Sequence, residues 1–385
     1  MAGLKSTFYW HSIVNKGGGG MYSPRQRPGS DVAPLLLIMA MARGQKVLIY
    51  GIGVLLGMMI LTVMPRKEPK EPHPWHEQTA PDGYYPLTFT DDYGRELTLE
   101  RQPRWFVSLA PSITEMLFAM EMGDHLLAVT EWDAYPAKAK ALRDAGSSVG
   151  AIDQPDLEII AGLGPDLVIA SGHTPAAVLG RIEQLSPARA VSLHHESFAD
   201  VLADIGQLGR LAGVPGRALA LIRSLEARKN VILDLVDSRR EHAPCRAVIL
   251  LHLEEGLLPG WSPGAGTWMG DLIEMAHGEN IAARLGASWG QLSLEAVLAA
   301  DPEVIFVKDG ATPAAQERLR ARVESLAQHP VWSQVSAVRN NRIVMVENGP
   351  FSIPGPRMVE ALATVAQGLW PDLAIPDAPN PFPED

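Results

Sequence analysis

Residues 157–177 read "LEIIAGLGPDLVIASGHTPAA", and residues 294–315 read "LEAVLAADPEVIFVKDGATPAA". Each passage opens on Leu-Glu and runs through a short helical stretch to Pro and an acidic residue. An apolar strand follows, then Thr-Pro-Ala-Ala. The offset between copies is 137 residues at Leu157/Leu294 and at Pro165/Pro302, and 138 at Thr174/Thr312, so one residue is gained in between. Helix, turn and buried strand in succession are the material of a wound α/β sheet, in which strands run parallel and helices cover both faces. Two copies this far apart predict two such sheets, with the repeated passage at matching places in each.

The flanking sequence supports that division. "PLTFTDDYGRELTLE" alternates around Asp92–Gly94 and predicts a β-hairpin. "RWFVSLA", "HLLAVT", "PDLVIAS" and "ARAVSLH" are short apolar strands. Among them, "PSITEMLFAMEMG" predicts a helix capped by Ser112 or Thr114, and "SFADVLADIGQLGRLAG" an amphipathic one. "GRALALIRSLEARKNVILDLVDSRREH" then keeps helical spacing with no internal Gly or Pro, long enough to bridge two lobes. Beyond it the alternation resumes: strand "CRAVILLHL", helix "TWMGDLIEMAHG" stopped by Gly278, helix "LSLEAVLAAD", strand "PEVIFVK", helix "PAAQERLRARVESLAQ", strand "RIVMVEN" and helix "PRMVEALATVAQGLW". The expected fold is α/β, two wound lobes joined by one long backbone helix. The expected parts are a lobe at 85–212, the bridging helix at 213–242, a second lobe at 243–372 and a tail at 373–385.

A different composition precedes the first lobe. Residues 47–64, "VLIYGIGVLLGMMILTVM", are 18 in number and uncharged. At 1.5 Å per residue they span about 27 Å, close to the hydrocarbon thickness of a bilayer. No small-x-small cleavage site follows, so a transmembrane signal anchor at 46–64 is expected, with the body outside the cytoplasmic membrane. Residues 1–45 read as a disordered extension or a start codon placed too early, and 65–84 as a Pro-rich, charged tether. Net charge is −11 over 385 residues; the first 46 carry six basic residues and one acid, +5, which leaves −16 for the rest. Such an acidic body is a poor partner for nucleic acid. The single cysteine, Cys245, excludes an internal disulfide framework and a lipid-bearing Cys after the apolar segment; at the start of a strand it reads as a structural thiol.

"RWFVSLAPSITEMLFAMEMG", "YPAKAKALRDAGSSVG", "DLEIIAGLGPDLVIASG", "ASWGQLSLEAVLAADPEVIFV" and "HPVWSQVSAVRNNRIVMVENGPFSIPGPRMVEAL" together resemble the substrate-binding proteins of ABC importers for vitamin B12 and iron complexes. The resemblance covers residues 85–372, with the motifs in the family's order and spacing. It implies two α/β lobes on a backbone helix, and capture of a metal chelate (an Fe(III) complex, haem or cobalamin) in the interlobe cleft. Delivery would be to a permease dimer with its ATPase subunits, without catalysis or an intrinsic cofactor. It also implies permease docking through one carboxylate per lobe, Glu158 and Glu295, the second residue of each repeated passage. A sensory or scaffold receptor on the same two-lobed fold is the alternative.

Strand ends and the loops after them supply the candidate ligand-binding residues. These are Ser112, Trp132, Tyr135, His173, His194 and His195 in lobe one, and His252, Trp261, Trp289, Phe351 and Arg357 in lobe two, with Glu254 and Trp268 nearby. Aromatic faces suit a flat chelate, and an Arg can clamp a carboxylate through two hydrogen bonds. Compared with vitamin B12 binders, Ile152 and Ser171 stand where lobe-one aromatics are expected, while Trp289 and Trp132 keep the pattern. The histidines could complete the shell of an incompletely chelated Fe(III) or ligate haem iron, though their spacing is not that of a zinc site and no metal ligand is assigned. No phosphate-binding loop and no Gly-x-Ser-x-Gly elbow occurs. "APSITE" and "HHES" hold the Ser, His and acid types of a hydrolase, with nothing in the sequence to fix their geometry.

Overall fold

The computed structural model describes residues 83–308, 310, 312–377 and 380–382. The expected N-terminal extension and anchor, and all but the last two residues of the tether, lie outside these. Among the described residues no helix is long and apolar enough to cross a membrane.

The first lobe opens with the predicted hairpin, β1 (Leu87–Thr90) antiparallel to β2 (Glu96–Leu99). Asp91 closes its turn by accepting hydrogen bonds from the backbone N–H groups of Tyr93 and Arg95 and from the Arg95 guanidinium. Then follow β3 (Phe106–Ser108), α1 (Pro111–Ala119), β4 (Leu126–Ala128), α2 (Ala137–Asp144), α3 (Leu157–Leu163), β5 (Leu167–Ser171), α4 (Ala176–Leu185), β6 (Arg189–Leu193) and α5 (Phe198–Leu211). Helix α6 (Pro215–Asp237), 23 residues, leads into the second lobe. This comprises β7 (Cys245–Leu250), β8 (Trp261–Pro263), α7 (Trp268–Met275), β9 (Gly278–Asn280), β10 (Trp289–Gln291), α8 (Leu294–Ala300), β11 (Val304–Lys308), α9 (Pro313–Leu326), α10 (Ser336–Arg339), β12 (Ile343–Val346) and α11 (Met358–Leu369).

Both four-stranded sheets are parallel and ordered alike. Lobe one runs β4-β3-β5-β6 and lobe two β9-β7-β11-β12, so each places its own strands second-first-third-fourth. The repeated passage forms α3-β5-α4 in one lobe and α8-β11-α9 in the other, with β5 and β11 both third. Even the turn is kept: Gly164 (φ 59°) and Asp301 (φ 42°) end α3 and α8 in the left-handed conformation, each just before the Pro. Gly adopts this φ without strain. Asp301 is held there by the N–H and hydroxyl of Ser336, which donate to its carboxylate at 2.7 and 2.8 Å.

Alternate strand residues feed opposite faces of each sheet. In lobe one Phe106, Ile169 and Val191 point toward the core shared with α6, whereas Val107, Val168 and Ala190 pack on the other side. The shared core is continuous from Phe106 and Leu208, through Leu225 and Ile232 of α6, to Ile249, Leu272 and Leu362 of lobe two. Gly209 allows α5 to approach α6 closely: a Cβ there would lie 2.2 Å from that of Ala218. Arg228 of α6 pairs with Glu360 of α11 at 3.7 Å.

Three local expectations are corrected. Helix α1 starts two residues earlier than a Ser112 cap and four earlier than a Thr114 cap would require, with Ala110 at the cap position and Pro111, whose fixed φ suits the first helical position, next. Helix α7 is terminated by His277, in the left-handed conformation (φ 58°); Gly278 already begins β9. The loop around Trp261 and the loop around Trp289 are not irregular but pair as the antiparallel ribbon β8/β10.

Candidate functional site

The loops at the carboxyl ends of both sheets carry the candidate residues, the usual ligand-binding edge of open α/β sheets. In lobe one, the segment after β3 begins α1 with Ser112, and the segment after β6 supplies His194 and His195. The His195 ring is bonded at both ends: Nδ1 lies 2.8 Å from Asp204 Oδ2, and Nε2 lies 3.1 Å from Ser112 Oγ. Ser112, His195 and Asp204 are all buried. Asp204, in the middle of α5, is absent from the sequence-based candidates. The exposed His194 places Nε2 at 2.8 Å from Glu196, and its backbone N–H donates to Asp92. His173, after β5, lies near both; desolvation and the neighbouring imidazoles His194 and His195 hold its pKa below the ordinary 6.5.

In lobe two the ribbon register pairs Trp261 with Gln291 and Trp289 with Pro263. Directly paired residues, and residues two apart on a strand, share a face, so both tryptophans lie on one side of the ribbon, diagonal to each other. Both are exposed, at 38% and 40%. Gln291 Nε2 donates to Glu254 Oε1 at 2.9 Å, and His252 Nε2 stands 3.5 Å from the same oxygen. Trp261, Trp289, Gln291, Glu254 and His252 are therefore one exposed cluster, flat on one side and polar at its edge.

The two carboxyl edges meet at a third group. Arg357, in the segment before α11, donates through Nε and Nη2 to both oxygens of Glu115 on α1, at 3.0 and 2.5 Å. Its guanidinium also lies 4.1 Å from the ring centre of Tyr135. Tyr135 in turn meets Phe382 edge to face, centroids 4.9 Å apart. The expectation that Arg357 clamps a ligand carboxylate is corrected: both of those donors are engaged by a carboxylate of the protein. Glu115 is wholly buried, and desolvation lifts its pKa to about 7 despite the Arg357 bonds, which act the other way. Asp133, also buried, accepts from the Thr130 N–H and hydroxyl through Oδ2, and burial raises its pKa although its hydrogen bonds act the other way.

Phe351 is not part of a ligand surface: at 1% exposure it sits in the core, as Trp268 does at 5%. Trp132 is exposed at 62% in the loop after β4. Glu158 and Glu295 occupy equivalent, exposed second positions of α3 and α8. Asp156 caps the first helix, accepting from two backbone N–H groups, and Ser293 caps the second. Among the described residues no group of three or more His, Cys, Asp or Glu is arranged to hold a metal ion.

Two parallel sheets of identical strand order, a long helix between them, and paired carboxyl edges bearing these clusters define a two-lobed binding protein. The model of the periplasmic binding protein family matches residues 106–348, more than half of the sequence, and the chain belongs to that family. An ABC transporter substrate-binding lipoprotein of Bacillus subtilis is 26% identical over 291 residues, 75% of this chain and 87% of that protein. A cobalamin-binding protein of Halobacterium salinarum is 27% identical over 289 residues, 74% of each. Among solved structures, the periplasmic haem-binding protein of Roseiflexus superposes with a TM-score of 0.58 at 26% identity, covering 69% of this chain and 99% of that one. The vitamin B12-binding protein of Vibrio cholerae superposes at 0.55 and 25%, covering 69% and 96%.

Proposed function

We propose that this protein captures a flat, conjugated metal chelate, a haem or a corrinoid, outside the cytoplasmic membrane and hands it to an ABC permease. The observation that carries the reading is the pair of exposed tryptophans on one face of the β8/β10 ribbon, flanked by His252 and Glu254. Indole faces stack on extended π-systems, and two on one ribbon offer a platform that a compact hydroxamate complex would not fill. His194 is exposed at the corresponding edge of lobe one with His173 beside it, and both offer imidazole to the same ligand. Ligands named for the relatives, cobalamin and haem, belong to this class. In this reading residues 47–64 tether the protein to the membrane, and Glu158 and Glu295 dock on the permease.

The test is titration of the purified protein with hemin, cyanocobalamin and a ferric hydroxamate, followed by tryptophan quenching and thermal midpoint. Hemin or cyanocobalamin should quench fluorescence and raise the midpoint with concentration, as mass action requires. Trp261→Ala together with Trp289→Ala should weaken that ligand at least tenfold. A preference for the hydroxamate, or no response to any of the three, would reject the proposal.

A further inference from the structure

We propose that Ser112, His195 and Asp204 form a nucleophilic relay able to cleave small carboxylic esters at the carboxyl edge of the lobe-one sheet. The proposal rests on geometry the sequence could not supply. Asp204 is an acceptor, so the 2.8 Å contact places the imidazole proton on His195 Nδ1. Nε2 is then an acceptor for the Ser112 hydroxyl at 3.1 Å. Nucleophile, base and orienting acid thus stand in line at hydrogen-bond distance, the arrangement that activates a serine. They come from three separate segments: the start of α1, the loop after β6, and the middle of α5.

The surroundings fit the same chemistry. All three side chains are buried, so the hydrogen bonds act in a low-dielectric setting. Ser112 is the second residue of α1, whose first turn has no side-chain cap. The first hydrogen bond at this end runs from the Thr114 N–H to the Ala110 carbonyl. The backbone N–H groups of Ser112 and Ile113 precede it, at the positive end of the helix and next to Ser112 Oγ. They are the donors an oxyanion would need. Thr114 Oγ1 donates to Ser108 Oγ at 2.8 Å and fixes the strand-to-helix turn on which the serine sits.

The step balances with water as the only co-reactant. Ser112 Oγ attacks the ester carbonyl carbon while its proton passes to His195 Nε2, and the carbonyl oxygen takes up the electron pair as an oxyanion. Collapse breaks the bond to the alcohol oxygen, which leaves with that proton, and an acyl group remains on Ser112. Water then attacks the acyl carbon, giving a proton to Nε2. The acyl–Oγ bond breaks, the acid departs, and Ser112 recovers its proton. Asp204 is a positioning residue: it sets the tautomer and steadies the imidazolium. This activity is separate from chelate binding, and either could be present without the other.

The test is reaction of the purified full chain with p-nitrophenyl acetate and with a fluorophosphonate probe, read by intact mass and peptide mapping. One adduct per chain, mapped to Ser112 and absent from Ser112→Ala, is expected. Asp204→Asn should slow acylation roughly 10²–10⁴-fold with the fold retained; a purely structural acid would change the thermal midpoint alone. An adduct spread over other residues of the wild-type protein, or no adduct, overturns the proposal. The mapping is done on the wild-type chain, so it decides the matter even if a variant fails to fold.

Discussion

Burial lifts the Glu115 carboxyl from 4.5 to about 7 although Arg357 holds both of its oxygens. Between those values the folded state binds more protons than the unfolded chain, so this group's contribution to stability declines as pH rises through the window and is constant beyond it. Chemical unfolding of wild type and Glu115→Gln at several pH values should give a stability difference that changes between pH 4.5 and 7. A flat difference would contradict the assignment. Glu115→Ala should be more severe, about 3–5 kcal/mol, because it strands a largely buried guanidinium. At this scale the sequence was only partly legible. Arg357, Ser112 and His195 could each be picked out as strand-end residues. Glu115, 242 positions from Arg357, could not, nor could Asp204, because only the packing of α1 and α5 against the sheets brings them to their partners.

Helices α3 and α8 are equivalent in length, cap position, left-handed terminus and the strand that follows. Asp156→Ala removes an acceptor of two backbone N–H groups and should cost about 1 kcal/mol of stability in denaturant unfolding. Gly209→Ala should cost about 1–3 kcal/mol by forcing α5 away from α6, since the obstructing atoms at 2.2 Å belong to a short side chain fixed on a helix. The main strands and helices were readable because runs such as "PDLVIAS" and "PEVIFVK" are apolar at nearly every position and flanked by turn residues. The ribbon β8/β10 was not. Its three-residue strands lie among Gly, Pro and Ser, and their partner is set by the sheet behind them rather than by their own pattern.

For the molecule as a whole, α6 and its continuous core predict little relative motion of the lobes. Scattering with and without ligand should show no closure of tens of degrees. Reversing both equivalent carboxylates, Glu158→Lys with Glu295→Lys, should abolish uptake while leaving ligand affinity unchanged, since rim charges set encounter and register. Retained uptake would remove them from the docking surface. The Glu115–Arg357 bridge has one more consequence, which concerns time. Glu115 emerges during synthesis 242 residues before the guanidinium that will hold it. At roughly 5–20 residues per second the wait is about 12–48 s. Through that interval the first lobe can fold only with a neutral carboxylic acid in its interior or with that edge still open to water. The lobe-one edge around Glu115 is therefore the part of the first lobe that cannot reach its final packing until the second lobe has been made and Arg357 has arrived.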